Sequence, residues 1–225
     1  NEERTAVCCL SSVNLEHFDE WSKDPLFISD LVTMLDNILQ HFIENAIDTT
    51  QLGEYSANFK RFKNYIRKGQ EGFTKAAYSA YRERSIGLGA MGFHAYLQRN
   101  DIDFESIYAT SFNHKCFKHI KSESRKVSQR LADERGEAPD VYGTGYRHSH
   151  LLAVAPNASS SIICGGTSPS IEPFRANIFT HKTLTGNYQV KNRFLEDLFR
   201  KKKLSPEKIK DLWADILEHN GSVQN

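Results

Sequence analysis

Five apolar residues, Leu151 to Ala155, run straight into Pro156, and three consecutive hydroxyls, Ser159, Ser160 and Ser161, come close behind. Proline has no N–H to give to a ladder, so a buried strand must stop there. The chain then releases a turn of small polar residues, Asn157-Ala-Ser-Ser160. After the apolar pair Ile162-Ile163 come two glycines, 165 and 166, and then Ser170-Ile-Glu-Pro173. Hydroxyls and unpaired amides at a helix start or nest can grip the oxygens of an anion. The same residues also suit a polar loop in which Asn157 or Ser159 caps a helix. Taken alone, the turn leaves both readings open.

The rest of the chain surrounds this strand with helices, which gives a helix-rich α/β class. Ala6 to Leu10 is β-rich and apolar, the pattern of a buried strand. Asp24-Pro25 marks a helix start, after which Leu31, Leu35, Ile38, Phe42 and Ala46 recur at helical spacing. A second helix is expected over Tyr55 to Arg67, with Phe59, Phe62 and Ile66 on one face, and a third over Phe73 to Arg82. Phe93 to Arg99 restarts a short helix. The longest spans Phe104 to Arg135, with Ile107, Phe112, Cys116, Ile120, Val127 and Leu131 as its apolar stripe and Gly136 closing it. Asp140 to Arg147 is a loop. Ile178 to Val190 looks extended, with a hairpin at Thr185-Gly-Asn187. Helices over Arg193 to Arg200 and Pro206 to His219 end the chain, the second with Ser205 as cap and Pro206 at its first position.

The 225 residues carry 29 Lys+Arg against 28 Asp+Glu. That balance provides no overall field for nucleic acid or a membrane surface. The run Lys201-Lys-Lys203 at a helix end reads as a solvated face. No apolar run approaches the roughly 18 residues of a membrane span, and no secretion signal is evident. The glycosylation sequons at Asn157 and Asn220 are therefore read as coincidence. Cys8, Cys9, Cys116 and Cys164 show neither zinc spacing nor a disulfide framework, which fits a reducing, cytoplasmic setting. The chain opens at Asn1 and stops at Asn225 after a loop signal, and both ends look cut from a longer polypeptide.

Four further patterns bear on chemistry. Gly87-Leu-Gly-Ala-Met-Gly92 is a literal G-x-G-x-x-G, but charged residues precede it and the acids downstream, Asp103 and Glu105, open a helix. A dinucleotide site needs a second strand ending in an acid there, so the glycines are read as allowing a strand and the helix after it to approach closely. Cys8 and Cys9, adjacent in a strand, point to opposite faces. His148 and His150 lack the further ligands of a metal site and read as surface or strand-edge residues. Cys116, on the long helical stripe, reads as a small core residue.

Five segments in order resemble the catalytic domain of the large subunit of class I ribonucleotide reductase. They are Ala6-Val-Cys-Cys-Leu-Ser-Ser-Val-Asn-Leu15, Arg84-Ser-Ile-Gly-Leu-Gly-Ala-Met-Gly92, Pro156-Asn-Ala-Ser-Ser160 with Ile171-Glu-Pro173, Asn177 to Asn192, and Asn220-Gly-Ser-Val-Gln224. The resemblance spans essentially the whole chain. It implies that residues 1–225 are part of a parallel-stranded α/β barrel of the kind shared with glycyl radical enzymes, continuing beyond both ends. It implies reduction of ribonucleoside diphosphates to deoxyribonucleoside diphosphates for DNA synthesis, by a thiyl radical that abstracts the ribose 3′ hydrogen. Pro156, Asn157, Ala158, Ser159 and Ser160 would form the substrate-diphosphate turn. Cys8 aligns with the thiol that reduces the nucleotide and then pairs with a cysteine earlier in the family's sequence, which argues against Cys164 as its partner.

The same resemblance implies that no cofactor is held by this chain. A metal-containing small subunit would supply the radical, and thioredoxin or glutaredoxin the reducing equivalents. Its other partners would be the N-terminal part of the large subunit and, in a homodimer, a second large subunit, with neither membrane nor nucleic acid engaged directly. The family's Asn-x-Cys-x-Glu motif, which carries the radical cysteine and its glutamate base, has no match here, so the chain alone is expected to be inactive. Two alternatives stand beside this. One is a non-catalytic phosphate-binding or assembly module derived from the same barrel. The other is a cobalamin-dependent reductase, whose turn usually reads Pro-Thr-Gly-Thr rather than Pro-Asn-Ala-Ser.

Overall fold

The computed structural model describes residues 2–51 and 58–224. The first strand, β1, is Cys9–Asn14 and not Ala6 to Leu10. It begins where Cys9 N–H finds the Ser85 carbonyl and ends where the Asn14 side chain accepts Glu16 N–H, turning the chain into a 3₁₀ turn and the short helix α1, Phe18–Trp21. Leu10 is 51% exposed, so the apolar look of the first segment does not translate into burial.

The long helix α2, Phe27–Ala46, buries Ile28, Val32, Leu35, Asp36, Leu39, Ile43 and Ala46. That face is rotated from the expected one: Leu35 and Ala46 lie on it, whereas Ile38 is exposed and Leu31 and Phe42 are half-buried. Of the helix expected over 55–67, residues 55–57 lie outside the described ones. The remainder is a short helix, α3, Phe59–Phe62, capped by Asn58 and with Phe59 and Phe62 buried, followed by a 3₁₀ turn, Lys63–Tyr65. Helix α4, Thr74–Glu83, ends on Arg84, whose left-handed backbone (φ 45°) redirects the chain into β2, Ile86–Met91.

β1 and β2 are parallel, with Cys9 opposite Ile86 and Asn14 opposite Met91. Ile86, Leu88 and Ala90 point into the main core beneath α2, as does Val13. The opposite face of β2 is glycine, Gly87 and Gly89. Helix α5, Phe93–Arg99, falls where expected, and α6, Ile107–Arg135, starts three residues late because Ser106 caps it by accepting Ala109 N–H. Its stripe Phe112, Cys116, Ile120, Val127 and Leu131 is buried as predicted, whereas Ile107 is exposed. Aromatic stacking of Phe112 on Tyr96, with centroids 3.7 Å apart, joins α6 to α5.

Residues 151–155 form no regular strand and are half-buried, with Val154 exposed, which corrects the expected buried strand. Ile86 and Leu88 of β2 donate to the carbonyls of His150 and Leu151, after which the segment leaves the ladder and passes over the glycines. Helix α7, Ala158–Ile163, comes next. The hairpin is β3, Ile178–Thr183, with β4, Gly186–Lys191, pairing Thr183 with Gly186, so the turn falls at 184–185, one residue early. Helices α8, Arg193–Lys201, and α9, Pro206–Glu218, complete the fold, the latter capped by Ser205 as expected. Ile178, Phe199, Trp213 and Ile216 make a second, smaller core. Among the described residues the two sheets have two strands each and no closed barrel forms.

Candidate functional site

The glycine face of β2 positions the site. A Cβ on Gly87 would lie 2.5 Å from Leu10 Cδ2, 2.7 Å from Ala153 Cβ and 3.2 Å from Cys8 Sγ. One on Gly89 would overlap the Ala153 carbonyl oxygen. The glycines thus let the irregular 151–155 segment lie directly on the sheet, in place of the strand–helix approach expected. Gly92 does serve the helix: φ is +79° and a Cβ would strike the Asn14 side chain.

Cys8 precedes β1 and its sulfur faces this glycine surface, together with Leu10 and Ser12. Cys9 packs on the main core instead. The opposite orientation inferred from adjacency therefore holds. Cys8 is exposed, yet partial desolvation, with the neighbouring Cys9 sulfur adding to it, pushes its thiol above the ordinary value, and desolvation does the same for half-buried Cys9. Both are neutral thiols near pH 7. Cys116 is fully buried and its thiol is pushed up to about 12 by burial, as a core residue should be. Cys164 is exposed.

Pro156 is exposed and stands just before the turn, and Asn157 occupies the cap position of α7 without capping it through its side chain. The first intrahelical bond is Ser161 N–H to Asn157 O, so the N–H groups of Ala158, Ser159 and Ser160 precede the helix ladder. Ala158, Ser159 and Ser160 are exposed, and no hydrogen bond to the hydroxyl of Ser159 or Ser160 is formed among the described residues. Ser161 is buried and bonds back to Ala158 O at 3.2 Å, so only two of the three hydroxyls remain open. No Lys or Arg lies between Pro156 and Ser170. An anion here would be held by neutral donors, as in backbone anion nests.

The loop beyond α7 is latched to the sheet ends. Gly92 N–H donates to Ser168 O at 2.8 Å, Ala95 N–H to Ser168 Oγ at 3.0 Å, and Thr167 Oγ1 to Asn14 Oδ1 at 3.3 Å. Glu172 is exposed, and its carboxylate accepts Ile171 N–H.

A buried ionic hub lies away from this turn. Asp36, 0% exposed, accepts Arg147 Nε and Arg135 Nη1, each at 2.7 Å, and meets His148 Nε2 at 3.2 Å and Arg84 Nη1 at 3.6 Å. Ser128 Oγ holds the other nitrogen of His148 at 2.9 Å. Burial alone would raise the Asp36 carboxyl, but the His148 hydrogen bond and the Arg147 charge outweigh it and hold the group well below the usual carboxylate range. Burial pulls Arg84 down to about 10, helped by Arg147, and keeps His148 below its ordinary value. The expectation that His148 is a surface or strand-edge residue is wrong: it belongs to the interior. The sequence signal was a carboxylate inside the apolar face of α2. No cluster of metal-ligating side chains occurs among the described residues.

The family model described as "Ribonucleotide reductase, barrel domain" matches residues 1–143 and 139–225. The chain belongs to the ribonucleotide reductase barrel-domain family. The ribonucleoside-diphosphate reductase large subunit of Invertebrate iridescent virus 3 is 44% identical over 225 residues, covering all of this chain and 32% of that protein. A putative large subunit from Frog virus 3 is 43% identical over 223 residues, 99% of this chain and 35% of that protein. Among solved structures, the Actinobacillus ureae class Id ribonucleotide reductase alpha subunit superimposes with a TM-score of 0.78 at 36% identity, over 100% of this chain and 36% of that one. This ribonucleotide reductase barrel segment therefore spans about a third of the length of these relatives. No helix among its described residues is long and apolar enough to cross a membrane.

Proposed function

We propose that this chain supplies the diphosphate turn and one redox thiol to the large subunit of a ribonucleoside-diphosphate reductase. The observation that carries the reading is spatial. Cys8 and the segment leading into the serine turn share the glycine face of β1 and β2, although they are well over a hundred residues apart in sequence. The open N–H groups of Ala158, Ser159 and Ser160 and the two free hydroxyls bind the substrate diphosphate, with Pro156 and Asn157 fixing where the turn begins. Cys8 and a second cysteine elsewhere in the large subunit give up two hydrogens and become a disulfide. The ribose 2′ carbon gains a hydrogen, and its hydroxyl leaves as water. A neutral Cys8 thiol suits a hydrogen donor. The reaction starts on a cysteine outside this chain, with the radical supplied by a metal-containing small subunit. Thioredoxin or glutaredoxin reduces the disulfide. The large subunit works as a homodimer.

The test is the pair Ser159→Ala and Ser160→Ala in the assembled enzyme. Each charge-assisted hydrogen bond is worth roughly 1.5–3 kcal/mol. Their loss weakens ground-state and transition-state binding alike, so KM for the ribonucleoside diphosphate should rise with kcat largely kept. An unchanged KM in the double variant would remove the diphosphate assignment.

A further inference from the structure

Asn157 is buried, and its side chain does not face the open part of the turn. Its amide nitrogen donates to Ala155 O at 2.7 Å and to Ser12 Oγ at 3.1 Å, with Ala90 O the longer third contact at 3.5 Å. Two of those three acceptors are backbone carbonyls, which cannot donate, so the group facing them must be the NH₂ and not the amide oxygen. The two protons of that NH₂ are consumed inside the protein. What Asn157 has left is a carbonyl oxygen, an acceptor, which cannot hydrogen-bond a phosphate oxygen. Ser12 is on the same face of β1 as Cys8 and Leu10, and Ala90 is on β2. One side chain therefore ties the start of the serine turn to both strands at the ends where the turn sits.

From this geometry we infer that Asn157 is a positioning residue, and that its hydrogen bond to Ser12 sets the placement of the diphosphate turn relative to the Cys8 strand. The inference rests on the reading of 156–160 as a diphosphate turn and adds Ser12, to which the family resemblance assigns no role, to the residues that determine substrate affinity. Without the strut, the open N–H groups of Ala158, Ser159 and Ser160 lose their fixed origin. The strut touches no substrate, so its loss weakens binding through the turn.

The experiment is a double-mutant cycle in the full-length large subunit with its small subunit, using Ser12→Ala, Asn157→Ala and the pair, and reading KM and kcat for a ribonucleoside diphosphate alongside Tm. Loss of one neutral hydrogen bond corresponds to roughly a 2- to 12-fold rise in KM. Ser12→Ala should show a rise in that range, and Asn157→Ala, which also loses the bonds to Ala155 O and Ala90 O, a rise at least as large. The pair should be no worse than the poorer single variant, because both remove one interaction. Ser12→Thr, which keeps the accepting hydroxyl, should restore the wild-type KM. Asn157→Ala raising KM while Ser12→Ala does not would show that the Ser12 bond does not place the turn and would overturn the proposal. A lowered Tm with KM unmoved in both would reduce the pair to ordinary packing and also overturn it. The Ser159→Ala/Ser160→Ala variant, measured alongside, separates the two levels: an unchanged KM there would sink the diphosphate reading itself.

Discussion

Replacing Asp36 with alanine should be among the most damaging single changes in this chain. The carboxylate has no exposed surface and lies against three arginines and a histidine. Two of those arginines, Arg147 and Arg84, have side chains only 4% and 10% exposed, so neither can recover hydration when the carboxylate is gone. Removing one partner of a buried ion pair costs about 3–5 kcal/mol, because the surviving charge is stranded. For a chain of this size each kcal/mol lowers Tm by about 2–4 °C, so the expected fall is about 6–20 °C. The chain has two tryptophans, one in each core: Trp21 in the main cluster and Trp213 in the smaller one. Denaturation tracked by fluorescence in the Trp213→Phe background isolates the Trp21 signal, which should carry the full shift. A loss under about 1 kcal/mol in that transition would mean that the arginines are solvated or paired elsewhere, and the hub argument would fail.

In the assembled enzyme, Cys8→Ser should abolish multiple turnover with dithiol reductants while Cys9→Ser leaves it largely intact; the reverse result would place the redox thiol one residue along. Gly89→Ala should destabilise by at least the roughly 1–3 kcal/mol typical of overpacking. It should cost more than Gly87→Ala, because its Cβ meets the Ala153 backbone whereas that of Gly87 meets side-chain atoms; urea midpoints in the opposite order would refute this. His148 and His94 are both held below the ordinary histidine value by burial, so the unfolded chain binds their protons first on acidification. Stability should therefore be full above about pH 6.5 and fall as pH drops through that value, with Asp36 adding a further loss below about pH 4. Denaturation midpoints that stay flat from about pH 7 to about pH 5 would contradict the histidine assignment.

Elements with a strong helical period and a recognisable stop signal were legible from residues alone. α5 falls where its pattern puts it, α6 ends and α9 starts as expected because Gly136 and Ser205 act locally, and the cap at Ser106 moves the start of α6 three residues on. Features that depended on a distant partner were not. The buried face of α2 is turned by the placement of Asp36, whose arginine and histidine partners come from the end of α4, from α6 and from the segment before residue 151. β1 starts later than its apolar residues suggest because its pairing is set by Ser85 and β2. The serine turn was visible as donor-rich, yet the inward orientation of Ser161 and the engagement of Asn157 with Ser12, across 145 positions, depend on how the chain packs. The motifs marked where the site lies. Which atoms within it are free was decided by tertiary contacts.

The parallel pairing of Cys9 with Ile86 also has a kinetic consequence. The partners are 77 residues apart in sequence, 86 less 9. Closing a flexible loop of that length costs about 4 kcal/mol by the logarithmic rule, before any ladder bond compensates. Contacts of such range form slowly unless the intervening chain has already contracted. α2 and α4 lie inside that loop, and their formation shortens the distance to be closed. The sheet that brings Cys8 to the glycine face should therefore assemble late, after the helices. Substitutions in β1 and β2 are then expected to speed unfolding more than they slow folding.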